Sequence, residues 1–200
     1  MSLELRNVRK AYGEHVVLDG FSHVFADGGI TCVLGRSGCG KTTLLRLIAG
    51  LEKPDAGEIA GVPSSGISMV FQEDRLPPQL TAAGCLKCVL RRESGRDTRI
   101  DGALRALGLG DAPDQPVKEF SGGMRRRVAL ARALLFPSPL VLLDEPFKGL
   151  DDATRTRAIA FAKPLLKGRT TVLVTHDPRD AEALGGAILR LSEGETMDNV

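Results

Sequence analysis

No run in this sequence approaches the ~18 apolar residues that a membrane-spanning helix needs, and its N-terminus lacks the apolar core of a secretion signal. Both absences predict a cytoplasmic chain that does not itself cross a bilayer. Charge of one sign is also missing. The 27 Lys and Arg against 25 Asp and Glu leave a net +2 and a pI of about 8.4, too mild to argue for nucleic-acid binding. Tryptophan is absent and tyrosine occurs once, as Tyr12. Cysteines are few, with one C-x-x-C pair at Cys85 and Cys88. No second pair or histidine cluster completes a zinc site, so structural thiols in a reducing compartment are expected. Repeats and low-complexity segments are lacking, and no regulatory extension is expected after the last strand. What is present, 200 residues of which 42% are hydrophobic, suffices for one domain with a sizeable core.

The chemistry begins at Gly35-Arg-Ser-Gly-Cys-Gly-Lys-Thr-Thr43, which fits the phosphate-loop template G-x-x-x-x-G-K-[ST]. An apolar strand candidate, Ile30 to Leu34, precedes it, and a helical pattern, Thr42 to Ala49, follows. Gly35, Gly38 and Gly40 can take backbone angles closed to other residues, so successive N–H groups point into one concavity. The N-terminus of the following helix turns its partial positive charge toward the same anion. Lys41 would reach the β- and γ-phosphates of a nucleoside triphosphate, and the Thr42 hydroxyl would ligand Mg²⁺. Ser37, Cys39 and Thr43 belong to the same binding loop. Alkylation of Cys39 is expected to block nucleotide.

Leu140-Val-Leu-Leu-Asp-Glu-Pro146 is an apolar run ending in two carboxylates. Such a run suits a strand buried on both faces of a parallel sheet, which places Asp144 at the C-terminal edge, where open α/β sheets bind ligands. Asp144 could hold Mg²⁺ and Glu145 could polarise the attacking water. His176 follows another apolar run, Thr170 to Val174, and would project from that same edge.

Between these lies Phe120-Ser-Gly-Gly-Met-Arg125, which resembles the L-S-G-G-Q signature of ATP-binding-cassette (ABC) ATPases. The whole chain follows that family's motif order. Tyr12 looks like the residue that stacks on adenine, Gln72 like the glutamine-loop residue, Asp151 like the D-loop aspartate and His176 like the switch histidine. The resemblance implies ATP and Mg²⁺ as ligands, with Thr42, Gln72 and Asp144 around the metal and Lys41, Gln72, Glu145 and His176 serving hydrolysis. It also implies that Ser121, Gly122 and Gly123 face the ATP of a second copy, in a head-to-tail homodimer. Further implied partners are a membrane permease and an extracytoplasmic solute-binding protein, with no nucleic acid, which would put the chain at the cytoplasmic face of the membrane.

Within the family, Val70-Phe-Gln-Glu-Asp-Arg-Leu76 and Ser121-Gly-Gly-Met-Arg125 look most like the nitrate, sulfonate and taurine importers. Ala82-Ala-Gly-Cys-Leu86 departs from the L-E-N-V-like run of those relatives, in the region expected to receive the permease. An exporter ATPase and a soluble regulator of ribosomes or DNA stand as alternatives. The expected fold is α/β: a P-loop NTPase cassette with a parallel core sheet, an N-terminal antiparallel β layer from Leu3–Val8 and Gly20–Phe25, and a helical subdomain at about 73–136. One domain over 1–200 is expected. Ser121 is the expected N-cap of a helix to Leu135. Arg125-Arg-Arg127 on that helix is expected to be a solvated basic face. His15 and His23, with no motif around them, are expected to be plain surface or strand residues.

Overall fold

Short runs of β-branched and aliphatic residues form the centre of the molecule. The computed structural model describes residues 2–92, 94–111 and 114–192. Strands β3 (Ile30–Leu34), β5 (Ile67–Val70), β6 (Leu140–Asp144), β7 (Thr170–Thr175) and β8 (Ala187–Arg190) pair in parallel in the order β5-β6-β7-β3-β8. Parallel neighbours need crossovers, and helices α1 (Lys41–Ile48), α2 (Ala82–Lys87), α3 (Arg96–Ala106), α4 (Gly122–Leu135), α5 (Asp152–Leu166) and α6 (Pro178–Leu184) supply them. A separate antiparallel sheet, β2-β1-β4, comprises β1 (Leu3–Tyr12), β2 (His15–Phe25) and β4 (Ala56–Ala60).

Successive side chains on a strand point to opposite faces, and the central strands are buried on both. Leu140 and Leu142 of β6, Val172 and Val174 of β7 and Val33 of β3 pack toward the antiparallel layer and α1. Val141, Leu143, Leu173 and Cys32 face the other way, into the core built by α2 to α6. Fully burying one such aliphatic side chain is worth about 1.5–3 kcal/mol. Burial also pushes the Cys32 thiol up to about 12, which leaves it an inert packing residue.

Helix α4 begins as its sequence implies: the Ser121 hydroxyl accepts from the Met124 N–H at 3.3 Å. Val128, Ala131, Leu134 and Leu135 form its buried stripe. The expectation holds for Arg125, 41% exposed at its side chain, and is overturned for the other two. Arg126 is 5% exposed, and Arg127 donates to the Gly123, Leu107 and Gly108 carbonyls. The helix lies between the sheet edge and α3, so loops with unsatisfied carbonyls surround the face that a lone helix would turn to water.

Candidate functional site

Parallel strands bring their C-terminal ends to one edge, and register decides which residues meet there. Asp144 pairs with Val174 and Val33 pairs with Val174, so the ends of β6, β7 and β3 stand level. The Glu145 N–H extends the ladder by one more bond, 2.9 Å to the Val174 carbonyl. A cleft of about 310 Å³ opens at this edge. Ser37, Gly38, Gly40, Lys41, Thr42 and Thr43 line it from the loop and α1, and Gln72, Asp144 and Glu145 from the ends of β5 and β6.

The loop glycines are needed for different reasons. Gly40 has φ 94°, in the left-handed region, and a Cβ there would lie 2.5 Å from Val17 Cγ1. Gly35 has no positive φ; a Cβ there would instead meet the Leu191 carbonyl at 2.4 Å and Cys39 Sγ at 2.5 Å. Space, rather than backbone freedom, demands glycine at 35. Helix α1 has Gly40 as its N-cap with no capping side chain and no acid in its first turn. Its first N–H groups therefore remain free to receive an anion. Lys41 is 8% exposed, and its ammonium donates to the carbonyls of Gly35 at 2.7 Å and Arg36 at 2.8 Å. The Cys39 thiol is buried and packs with the core, 3.9 Å from the Lys41 ammonium.

Asp144 is buried to 1% exposure. Burial pushes its carboxyl above the usual carboxylate range, a hydrogen bond from Thr42 pulls the other way, and the neighbouring Glu145 charge raises it further. Its Oδ1 has no hydrogen-bond partner among the described residues. A buried, orphaned carboxylate oxygen beside a threonine hydroxyl suits a hard oxygen-seeking cation, so the residues fit Mg²⁺. Asp144→Asn removes the buried charge while keeping an acceptor for Thr42. It is expected to make stability near neutral pH less dependent on pH, since a carboxyl pushed up by burial is removed, and to abolish magnesium-dependent hydrolysis. Calorimetry beside a phosphate-release assay checks both halves.

Glu145 adopts φ 49°, a strained conformation for a non-glycine residue. Its carboxylate meets His176 Nδ1 at 2.8 and 3.0 Å. His176 is exposed but its neighbours are pinned. The Thr175 hydroxyl donates to Asp180 at 2.6 Å, and Arg155 of α5 pairs with Asp177 at 2.7 Å and Asp180 at 2.5 Å. Arg179 and Arg155 hold the Asp177 carboxyl well below the usual carboxylate range.

Behind the strained turn sits Arg126. Its guanidinium donates to the carbonyls of Phe71 (2.7 Å), Asp144 (3.3 Å) and Glu145 (2.9 Å) and pairs with Asp74 at 3.1 Å. One side chain from α4 thus fixes the neighbouring segments after β5 and β6 that carry Gln72 and Glu145. Nothing in the local sequence pattern shows this, because its partners lie 18 to 55 residues away.

Other expected residues stand apart from the cleft lining. Tyr12 is half exposed and donates to Glu52, with the Lys10 ammonium 5.5 Å from its ring. Ser121 and Gly122 are exposed at the start of α4. Gly123 approaches the segment before α5, where a Cβ would lie 3.4 Å from Leu150. Asp151 caps α5, accepting from the Thr154 N–H at 2.9 Å and its hydroxyl at 2.8 Å. Cys85 is buried and Cys88 exposed, and among the described residues no cluster suits a metal through three or more His, Cys, Asp or Glu.

Two polar lining residues escape the sequence reading. His15 is an exposed strand residue, as expected, the first of β2 and opposite Tyr12, and the two-residue turn between them also brings it to the cleft. Lys148 also lines the cleft, three residues after Glu145; that spacing was its only signal.

A family model described as "ABC transporter" matches residues 18–148. The aliphatic sulfonates import ATP-binding protein SsuB 1 of Paraburkholderia xenovorans is 41% identical over 199 residues, covering 96% of this chain. The spermidine/putrescine import ATP-binding protein PotA of Spiroplasma citri is 39% identical over 207 residues, also covering 96%. This chain spans 58% and 59% of those two relatives' lengths. Among solved structures, a dimeric ATP-binding cassette in a post-hydrolysis state, bound to ADP and Pi, superposes with a TM-score of 0.83 at 30% identity. That match covers 98% of this chain and 97% of the other.

Proposed function

The chain belongs to the ABC transporter family of ATP-binding proteins, and from that premise we propose that it hydrolyses ATP to power uptake of a small solute through a membrane permease. The observation that carries this reading is the single cleft edge at which the loop lysine, the orphaned Asp144 and the strained Glu145 converge.

In this reading the α1 N-terminus and Lys41 hold the phosphates, and Tyr12 stacks on the adenine. Thr42 and Asp144, with Gln72, would hold Mg²⁺, which would neutralise charge between the outer phosphates. Glu145 accepts a proton from the attacking water, and His176, in contact with Glu145, helps hold that water and the last phosphate. Two copies sandwich two ATP molecules, each giving the exposed Ser121–Gly123 segment and Asp151 to the other's site. The dimeric cassette relative supports this arrangement. The segment at about 73–136 acts as the helical subdomain within one domain over 1–200, and Gln72 couples its motion to the permease. No helix among the described residues is long and apolar enough to cross a membrane, so attachment at the cytoplasmic face would run through the permease.

The names of the relatives favour import, and aliphatic sulfonates are the first solute class to try; a solute-binding protein outside the membrane completes the proposed system. The test is to purify the Glu145→Gln chain with ATP from gently solubilised native membranes and to identify its companions. A multi-helix permease, with or without a capture protein, supports transport. Ribosomal or DNA-associated companions without any membrane protein would overturn it.

A further inference from the structure

We propose that Lys148 is a second phosphate-binding cation that selects nucleoside triphosphate over diphosphate in this cleft, an inference that rests on the nucleotide reading of the site. Lys148 lies on the same tight turn as Glu145: its N–H donates to the Glu145 carbonyl at 3.2 Å, and the intervening Pro146 and Phe147 are buried and anchor the turn. Its exposed side chain reaches the cleft wall.

The two lysines of the cleft are held differently. The Lys41 ammonium is held in place by the Gly35 and Arg36 carbonyls, to which it gives two of its three N–H groups. That of Lys148 has no ion pair or hydrogen bond among the described residues and is free to follow a ligand.

Charge balance points the same way. Asp144 and Glu145 bring two carboxylates to the lining. Lys148 doubles the lysine charge that the lining sets against those carboxylates and offers to a polyphosphate, beside the Mg²⁺ that Asp144 would hold. Because it shares a turn with Glu145, its charge falls on the side of the cleft where the water-attacked phosphate must lie. A diphosphate has no group there, so the contact is made with the triphosphate only. A charge-assisted contact of this kind discriminates through position as well as strength.

Equilibrium binding of ATP and ADP to the purified chain tests this, using Lys148→Ala, Lys148→Arg and the parent. Lys148→Ala is expected to weaken ATP about five- to tenfold and ADP less than twofold. Its melting temperature should match the parent's, and the ATP deficit should shrink in high salt. Lys148→Arg should restore ATP affinity to within about twofold, because it keeps the charge. Equal losses for ATP and ADP, or none, would overturn the role of Lys148 while Lys41→Ala still abolishes binding. If the parent chain binds neither nucleotide, the reading of the site fails first and this inference falls with it.

Discussion

Replacing Glu145 by glutamine will slow ATP hydrolysis by about 10²–10⁴-fold, the contribution of a positioned general base, and leave ATP binding intact. The substitution preserves shape. The amide can still meet His176 Nδ1, now 2.8 Å from a carboxylate oxygen, and the backbone bond from the Glu145 N–H to the Val174 carbonyl is untouched. What disappears is the carboxylate proposed to accept the proton. The strained φ of 49° at this residue is maintained by surrounding structure, so the variant should present its side chain at the same point. With hydrolysis blocked and binding kept, the ATP-bound dimer should accumulate. Phosphate release, nucleotide affinity and size-exclusion chromatography with and without ATP together check the outcome. A variant that turns over within threefold of the parent, in the same assay, would remove Glu145 from the mechanism.

Arg126→Ala should be the most damaging change outside the loop. Four acceptors lose their donor at once: three carbonyls and the Asp74 carboxylate. Asp74 is 20% exposed at its side chain and keeps Arg125 at 4.0 Å, so the cost comes chiefly from the three carbonyls left without this donor, about 1–3 kcal/mol each. In a chain of 200 residues this corresponds to a fall of roughly 10 °C in melting temperature. Activity should fall further than stability explains, because Arg126 holds the backbone of both Asp144 and Glu145. Arg126→Lys keeps the charge but lacks the planar fork that serves several acceptors, so it should lie between. Calorimetry and turnover measured well below each variant's transition separate the two effects. A parent-like turnover in folded Arg126→Ala would reduce the residue to a packing role.

Local rules made the central sheet legible. Ile30–Leu34, Leu140–Leu143 and Thr170–Val174 are continuous apolar runs, and such runs favour strands buried on both faces. The phosphate loop is equally local, since its function needs only consecutive backbone N–H groups and the helix behind them. Strand β4 went unread because Ala-Gly-Glu-Ile-Ala is poor in β-formers and mostly exposed. It exists because β1 offers it a pairing edge, at Leu5↔Ile59 for example. For the same reason β1 continues through Arg9 and Lys10 to Tyr12, beyond the apolar stretch that signals it.

Thus the sequence by itself determined the phosphate-binding loop, the carboxylates at the end of β6, the strands of the core and the family to which they belong. These depend on neighbours within a few residues, where backbone geometry and side-chain period act directly. Only the tertiary structure decided that Arg126 is a buried clamp, that Gly35 is required for space beneath Leu191, and that His15 and Lys148 reach the cleft. Each of those depends on groups brought together by strand register and helix packing. A basic residue on a helix becomes solvated or buried according to what the rest of the chain places against it.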